Sequence, residues 1–460
     1  MKKILLIGYN YSPEPTGIGK YSGEMVLWLA RQGYECTVIT AYPYYPYWKV
    51  QEPYHGGRFW YKKETQHFES GGKIRVYRCP MYVPDKPSGL KRMLLDLTFS
   101  ITAFFKLLQL LPERKFDFVV TVVPSFQFGL LGIFYKKLRS SRLLYHIQDM
   151  QIEAARDLQM IKSEGLINTL FKVEKYIFSQ CDSITCVGEG MVRRTQAKTD
   201  KTIAHFPNWV DTSFFYPLNN RSSLKVALGY QPDEKLILYS GAIGEKQGLG
   251  LLLQAAKALE EKQNWKFLIC GSGPYKEKLQ RDASDLKLNN LVFCPLQPTE
   301  TFNMFLNAAD LHLVIQRADA YDLVMPSKLT TILAVGGLAL VTANKDTGLN
   351  SMITRHKIGI AVEAENTQAL INGICKALEE DHEQTRKNAR FFAEVFLSID
   401  GIMGSFESTH ILQEASQKTT PQPALDLLPL PSYQQDRSAW KTYKGAVTDS
   451  SLDTSSTKVF

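Results

Sequence analysis

Residues Leu236–Leu253 read LILYSGAIGEKQGLGLLL. Leu236, Ile237, Leu238 and Tyr239 form a short apolar run of strand type, and Ser240, Gly241 and Gly244 interrupt it with a turn of small residues. Beyond Lys246, the residues Leu249, Leu252, Leu253 and Ala256 recur at i, i+3, i+4 and i+7, the period of a helix lying on a sheet. A strand, a glycine turn and a helix in that order gather unpaired N–H groups and the positive end of a helix at one point, where phosphate is favoured. Lys246 adds a full positive charge there. The same turn also serves as an ordinary βα corner with a surface lysine, so the choice falls to the rest of the chain.

The chain opens the same way. Lys2–Gly8 is a buried-type strand, followed by a turn and a helix that carries Ile18, Tyr21, Met25, Trp28 and Leu29 on one face. Gly33 ends the helix and Cys36–Thr40 is the next strand, the βαβ opening of a doubly wound domain. The loop glycines are spaced Gly17-x-Gly19-x-x-x-Gly23, and no acidic residue follows Thr40, so the dinucleotide-binding fingerprint fails twice. A glycine loop suited to a phosphate approached by backbone remains. Ala41–Tyr61 is rich in proline and aromatic residues, among them Tyr44, Tyr45 and Trp48. These rings are equally suited to stacking on a sugar or lipid-linked acceptor and to packing a long loop onto the domain. Lys73–Cys79 and Phe116–Val123 read as strands. Leu90–Leu111 reads as a largely apolar helix, packed in the core or resting on a membrane surface.

The strand Arg142–Ile147 delivers Gln148, Asp149 and Glu153 to its carboxyl end, the edge where open α/β sheets hold ligands. His146 alternates with Tyr145 on it and is either a catalytic group or a satisfied structural one. Ser183–Val187 is a further strand. In the second half, Trp265–Cys270, Leu291–Pro295, Leu311–Ile315 and Leu338–Thr342 alternate with helical segments. The expected plan is an α/β chain with two facing Rossmann-like domains, residues 1–205 and 218–385, joined by a linker at 206–217. A single helix at 386–413 should cross back, and 414–460, rich in Pro, Ser, Thr and Gln, should be a disordered tail. Pro326 and Ser327 make a second helix start inside Met325-Pro326-Ser327-Lys328-Leu329. Lys246 and Lys328 at two such starts would clamp a diphosphate without metal, and the chain has no Asp-x-Asp pair to hold one.

The 460 residues leave room for two or three domains, and 44% hydrophobic with 22% charged residues is a globular composition. Residues 1–211 hold 29 Lys and Arg against 19 Asp and Glu, whereas the remainder holds 25 against 27. A basic first half interleaved with apolar helices favours anionic lipid or a phosphorylated acceptor over nucleic acid. Met1–Lys3 runs straight into a strand with no secretory apolar region. Seven cysteines without a C-x-x-C pair suggest reduced thiols and a cytoplasmic protein.

The stretches YSPEPTGIGKYSGEM, YYPYW, YHIQD, FPNW, YSGAIGEKQGL, PLQ and MPSKLTTILAVGG, in this order, resemble the GT-B retaining glycosyltransferases of family 4. Within that family the similarity points to the colanic-acid biosynthesis branch, often described as fucosyltransferases. The resemblance implies a nucleotide-diphosphate sugar, GDP-fucose among the donors, bound mainly by the second domain, with a lipid-linked or polysaccharide acceptor on the first. It implies that Gly17 and Gly19 approach the diphosphate across the cleft. Gly241, Gly244, Lys246, Pro326, Ser327, Lys328 and Leu329 would grip it, with Gln297 near the base. Asp149, or His146, stands where the family places a catalytic group, and Tyr44, Tyr45 and Trp48 lie on the acceptor side. No cofactor or metal is implied. The sequence departs from the family at Ala242, Ile243 and Glu245, which fill the turn where an arginine often precedes the lysine. It departs again at Thr331, where a ribose-binding carboxylate usually stands; Asp322 lies near the first carboxylate position but out of register.

Two other classes compete. A nicotinamide-dependent sugar-nucleotide oxidoreductase or epimerase needs Tyr-x-x-x-Lys on a helix, and Tyr45–Lys49 and Tyr82–Lys86 both contain proline. A non-catalytic polysaccharide-assembly partner would keep the cleft and lose turnover, as Thr331 suggests.

Overall fold

A computed structural model describes residues 2–15, 17–86, 88–157, 163–317, 326–345 and 347–412. The proposed tail at 414–460, and Asp322 and Met325, lie outside the described residues. The strands of the first sheet are β1 (Lys3–Ile7), β2 (Glu35–Ala41), β3 (Lys62–His67), β4 (Lys73–Cys79), β5 (Phe118–Val123), β6 (Arg142–Ile147), β7 (Ser183–Cys186) and β8 (Ile203–His205). They lie in the order β3-β4-β2-β1-β5-β6-β7-β8, all parallel except β3, which runs antiparallel to β4 at the edge. The second sheet holds β9 (Lys235–Ser240), β10 (Trp265–Cys270), β11 (Leu291–Cys294), β12 (Leu311–Val314), β13 (Ala339–Thr342) and β14 (Ile360–Val362). Its order is β11-β10-β9-β12-β13-β14, parallel throughout.

The inner strands of both sheets are buried on both faces and are apolar on both sides. In β1, Leu5 and Ile7 join one core and Ile4 and Leu6 the other. In β9, Ile237 and Tyr239 face one layer and Leu236 and Leu238 the opposite one. Strand order reverses beside β1 in the first sheet and beside β9 in the second, so the crevices that hold ligands open beyond the carboxyl ends of those strands. The glycine turns at Gly17 and Gly241 occupy those two places.

The closing segment differs from the expected single helix at 386–413. Helix Glu383–Phe396 ends at Leu397, and a new helix, Ile399–Phe406, starts from Ser398, whose hydroxyl accepts the Gly401 N–H. The break is where the chain changes domains. Arg390 donates to the carbonyls of Thr212, Phe215 and Ala334, holding the first of these helices on the second domain. Beyond the break, Phe406 stacks on Phe206 with centroids 4.4 Å apart, and Trp28 donates to Asp400 and Tyr34 to Glu407. Val210 and Ser398 form a parallel bridge that joins the two crossings.

Candidate functional site

The side expected to bind the donor is built around Lys328, the second residue of helix Ser327–Ala334. Its side chain folds back so that Nζ lies 3.8 Å from the centre of the Tyr239 ring, at the end of β9. That path needs Gly241, which has φ 149° and whose missing Cβ would fall 2.9 Å from the Lys328 Cε and Nζ. The ammonium is out of contact with solvent and has no hydrogen-bond partner among the described residues. Burial brings its pKa down from 10.5 to about 7. A buried cation without an acceptor is costly, and the face of an aromatic ring compensates only part of that cost. An anion at the mouth of this turn would remove it.

The expected backbone donors are partly committed. The Gly241 N–H bonds the Cys270 carbonyl, the Gly244 N–H bonds Gln247 Oε1, and the Leu329 N–H bonds the Pro326 carbonyl. Gly241, Gly244 and Leu329 therefore do not offer free amides in this arrangement, in contrast to the sequence expectation. Pro326 caps its helix, and Ser327 and Lys328 are the leading amides. Lys246 sits in the one-turn helix Glu245–Gln247, next along the same turn. Gln297 lies just past β11, where its side chain donates to the Pro295 carbonyl.

The side expected to face the acceptor gathers around a residue the sequence reading did not single out. Glu14 is buried; its Oε1 accepts from the Tyr44 and Tyr45 N–H groups at 3.1 and 3.0 Å, and its Oε2 accepts from Asn10. A Cβ on Gly19 would fall 2.4 Å from Glu14 Oε2, so this glycine makes room for the carboxylate. Gly17, with φ 62°, lies beside the Tyr45 ring. Tyr44 and Tyr45 both pack edge-on against Trp48, and the Arg92 guanidinium lies 5.2 Å over the Trp48 ring. Of the two readings the sequence left open, the ring contacts show packing of the long loop onto the domain. Tyr44 is sealed in the core, while Tyr45 is partly exposed toward the glycine loop. Burial pushes the Glu14 carboxyl up to about 7 against the pull of these hydrogen bonds.

Asp149 is exposed at the end of β6, close enough for its charge to reach Tyr9 and Tyr45. Below it, Asp96 is buried, accepts from Gln151 Nε2 at 2.9 Å, and is raised by burial to about 6. His146 does not reach this edge. Its ring is buried on the opposite face of β6 from Tyr145, hydrogen-bonded to Thr185 at 2.8 Å and packed on Phe206, and burial holds its pKa down to about 3. Of the two readings left open for His146, its burial, its bond to Thr185 and its packing on Phe206 favour the structural one. Its single-strand alternation could not distinguish two buried faces.

The two sides meet. Tyr21, on the helix after the glycine loop, lies close enough to Thr330 on the Lys328 helix for the two hydroxyls to interact. Tyr21 also packs edge-on against Trp209, whose indole donates to Glu24 at 2.8 Å. Two loop–helix starts, one glycine-rich and one carrying the unpartnered ammonium, therefore face each other across one seam.

Comparison with known proteins reads the same regions. The description "Glycosyl transferase 4-like domain" matches residues 16–209 and "Glycosyl transferases group 1" matches residues 220–392. The chain is 39% identical over 88% of its length, and 98% of the relative's, to a protein of Escherichia coli described as colanic acid biosynthesis glycosyl transferase WcaI. The chain belongs to the group 1 glycosyltransferases. This membership removes the oxidoreductase alternative. The glycosyltransferase has the GT-B fold. It superposes on sucrose-phosphate synthase of Thermosynechococcus elongatus with TM-score 0.67 at 16% identity, covering 89% of this chain and 98% of that one. Anabaena HepE, solved in complex with UDP and glucose, gives TM-score 0.61 at 13% identity, over 89% and 99% of the two chains.

Proposed function

We propose that this glycosyltransferase moves a sugar from a nucleotide diphosphate to a lipid-linked or polysaccharide acceptor, with retention of anomeric configuration, in exopolysaccharide assembly of the colanic-acid type. The observation that carries the reading is the buried Lys328 ammonium, without a hydrogen-bond partner among the described residues and aimed into the glycine turn of β9. A sugar diphosphate supplies the missing acceptor. Lys246 at the same turn and the leading N–H groups of Ser327 and Lys328 complete a cationic cradle, and Gly17 and Gly19 close it from across the seam. As the anomeric carbon–oxygen bond breaks, the electron pair goes to the diphosphate, whose growing charge these groups stabilise without metal. The acceptor hydroxyl attacks on the same face, and its proton passes to the departing phosphate. Asp149 holds the acceptor at the cleft edge, and Gln297 borders the nucleotide base.

The identity to the colanic-acid relative supports the polymer class; HepE was solved with UDP and glucose, which sets uridine donors beside the GDP-fucose expected from the sequence resemblance. Seven free cysteines support a cytoplasmic site of action, and the basic first domain supports contact with the inner face of the membrane. A thermal-shift screen with GDP-, UDP-, ADP- and dTDP-sugars tests the donor. One of them should raise the melting temperature of the native chain and leave that of Lys328→Met unchanged. Shifts of equal size in both proteins would remove Lys328 from the site. Slow hydrolysis of the same nucleotide sugar separates an enzyme from a non-catalytic partner.

A further inference from the structure

Helix Gly89–Leu110 is the one helix, among the described residues, long and apolar enough to cross a bilayer. It does not cross one here, because Leu95, Phe99, Ala103, Leu107 and Leu110 bury its inner face in the core of the first domain. Its outer face is apolar as well. Leu90, Met93, Leu94, Leu97, Ile101 and Phe105 follow spacings of three and four along one side, and all are exposed, Leu90 by 79% and Phe105 by 55%. A continuous apolar stripe in contact with water marks a surface that another phase or molecule covers. We propose that this stripe is laid on an anionic lipid bilayer, with the helix lying in the interface plane.

The surroundings favour lipid. Phe59 and Trp60, 69% and 77% exposed, adjoin Tyr61 in the chain, and Tyr61 is fastened to the helix by its hydroxyl, which donates to the Thr102 carbonyl. Aromatic side chains of this kind sit at the headgroup level of membranes. Basic residues rim the stripe: Lys86 and Lys91 are exposed at its start, Lys106 lies over the Tyr61 ring, and Arg58 lies over Phe59. A second copy would set this basic rim against itself, whereas anionic headgroups complement it. The same helix places Arg92 over Trp48 and Asp96 against Gln151, so a bilayer on its outer face lies beside the acceptor aromatics. The acceptor would then be presented from the membrane, which selects a lipid-linked sugar over a free polysaccharide. That last step rests on the proposed function; the docking itself does not.

The test is flotation of the full chain with vesicles of phosphatidylcholine alone or mixed with phosphatidylglycerol, at low and high salt. The wild type should float with the mixed vesicles and release as salt rises. A Leu97→Glu/Ile101→Glu variant, altered only on the exposed face, should keep its melting temperature and donor-induced shift and lose vesicle affinity by about tenfold or more. Absence of wild-type binding, or equal binding by the variant, would overturn the docking. So would a wild-type dimer that the variant dissolves, or binding that emerges only after residues 413–460 are removed, because the stripe would then be covered by protein. Donor binding is read without vesicles and vesicle binding without donor, so failure of one leaves the other standing.

Discussion

In the proposed donor site, Lys328 would couple charge to binding. In the free protein its proton is lost near pH 7, well below the usual 10.5, because burial disfavours the ammonium. The unfolded chain therefore holds more protons between about 7 and 10.5, and this group's contribution to stability rises with pH across that window. A bound diphosphate reverses the preference and requires the proton. Donor affinity should be flat below about pH 7 and weaken by up to about tenfold per unit above it, with proton uptake on binding. Calorimetry in buffers of different ionisation heat measures that uptake; none at pH 8 would contradict it. Lys246→Ala should lower transfer by about 100-fold, the scale of losing one preorganised charge-stabilising group, read as kcat/KM. Glu14 has the opposite sign of pH dependence. Its folded pKa of about 7 exceeds the ordinary 4.5, so its stabilising contribution is complete below 4.5 and is lost as pH rises through about 7. Glu14→Gln should flatten the melting temperature against pH over that range; an unchanged profile would place the titration elsewhere. The Pro326–Leu329 run marks a helix start and so locates Lys328 from sequence alone. What the pattern lacks is the path of the side chain, because that depends on a hole left by Gly241 in a distant turn. Glu14 stands in plain view between two prolines, yet its bonds run to Tyr44 and Tyr45, some thirty residues on.

At the scale of elements, strands buried on both faces were the readable part, since β1, β5, β6, β9 and β10 are largely apolar runs. The edge strand β3 reads KKETQH and is almost wholly exposed, so no apolar period announces it; pairing with β4 makes it a strand. The closing helix shows the reverse failure. Its apolar pattern runs through Leu397, and the stop is written in Ser398, a capping residue followed by Asp400 in the first turn. Ser398→Ala should cost about 1 kcal/mol, seen as a lower denaturant midpoint. No change would mean that the Val210–Ser398 bridge alone sets the break.

Across the whole molecule, two doubly wound domains each bring a loop–helix start to the carboxyl edge of their sheet, and the crossings at Val210 and Ser398 set these starts opposite one another. Tyr21 and Thr330 mark the seam. The domain plan follows from strand–helix alternation, whereas the seam is long-range: Trp209 reaches Glu24 and Phe406 reaches Phe206 through contacts no local pattern encodes. Soaking a crystal with the nucleotide sugar selected by the thermal screen tests the site most directly. The diphosphate should lie in the seam within hydrogen-bond distance of Lys328 Nζ, drawn off the Tyr239 ring, with Gly17 and Gly19 facing it. A diphosphate bound elsewhere, with Lys328 still folded under Tyr239, would contradict the assignment.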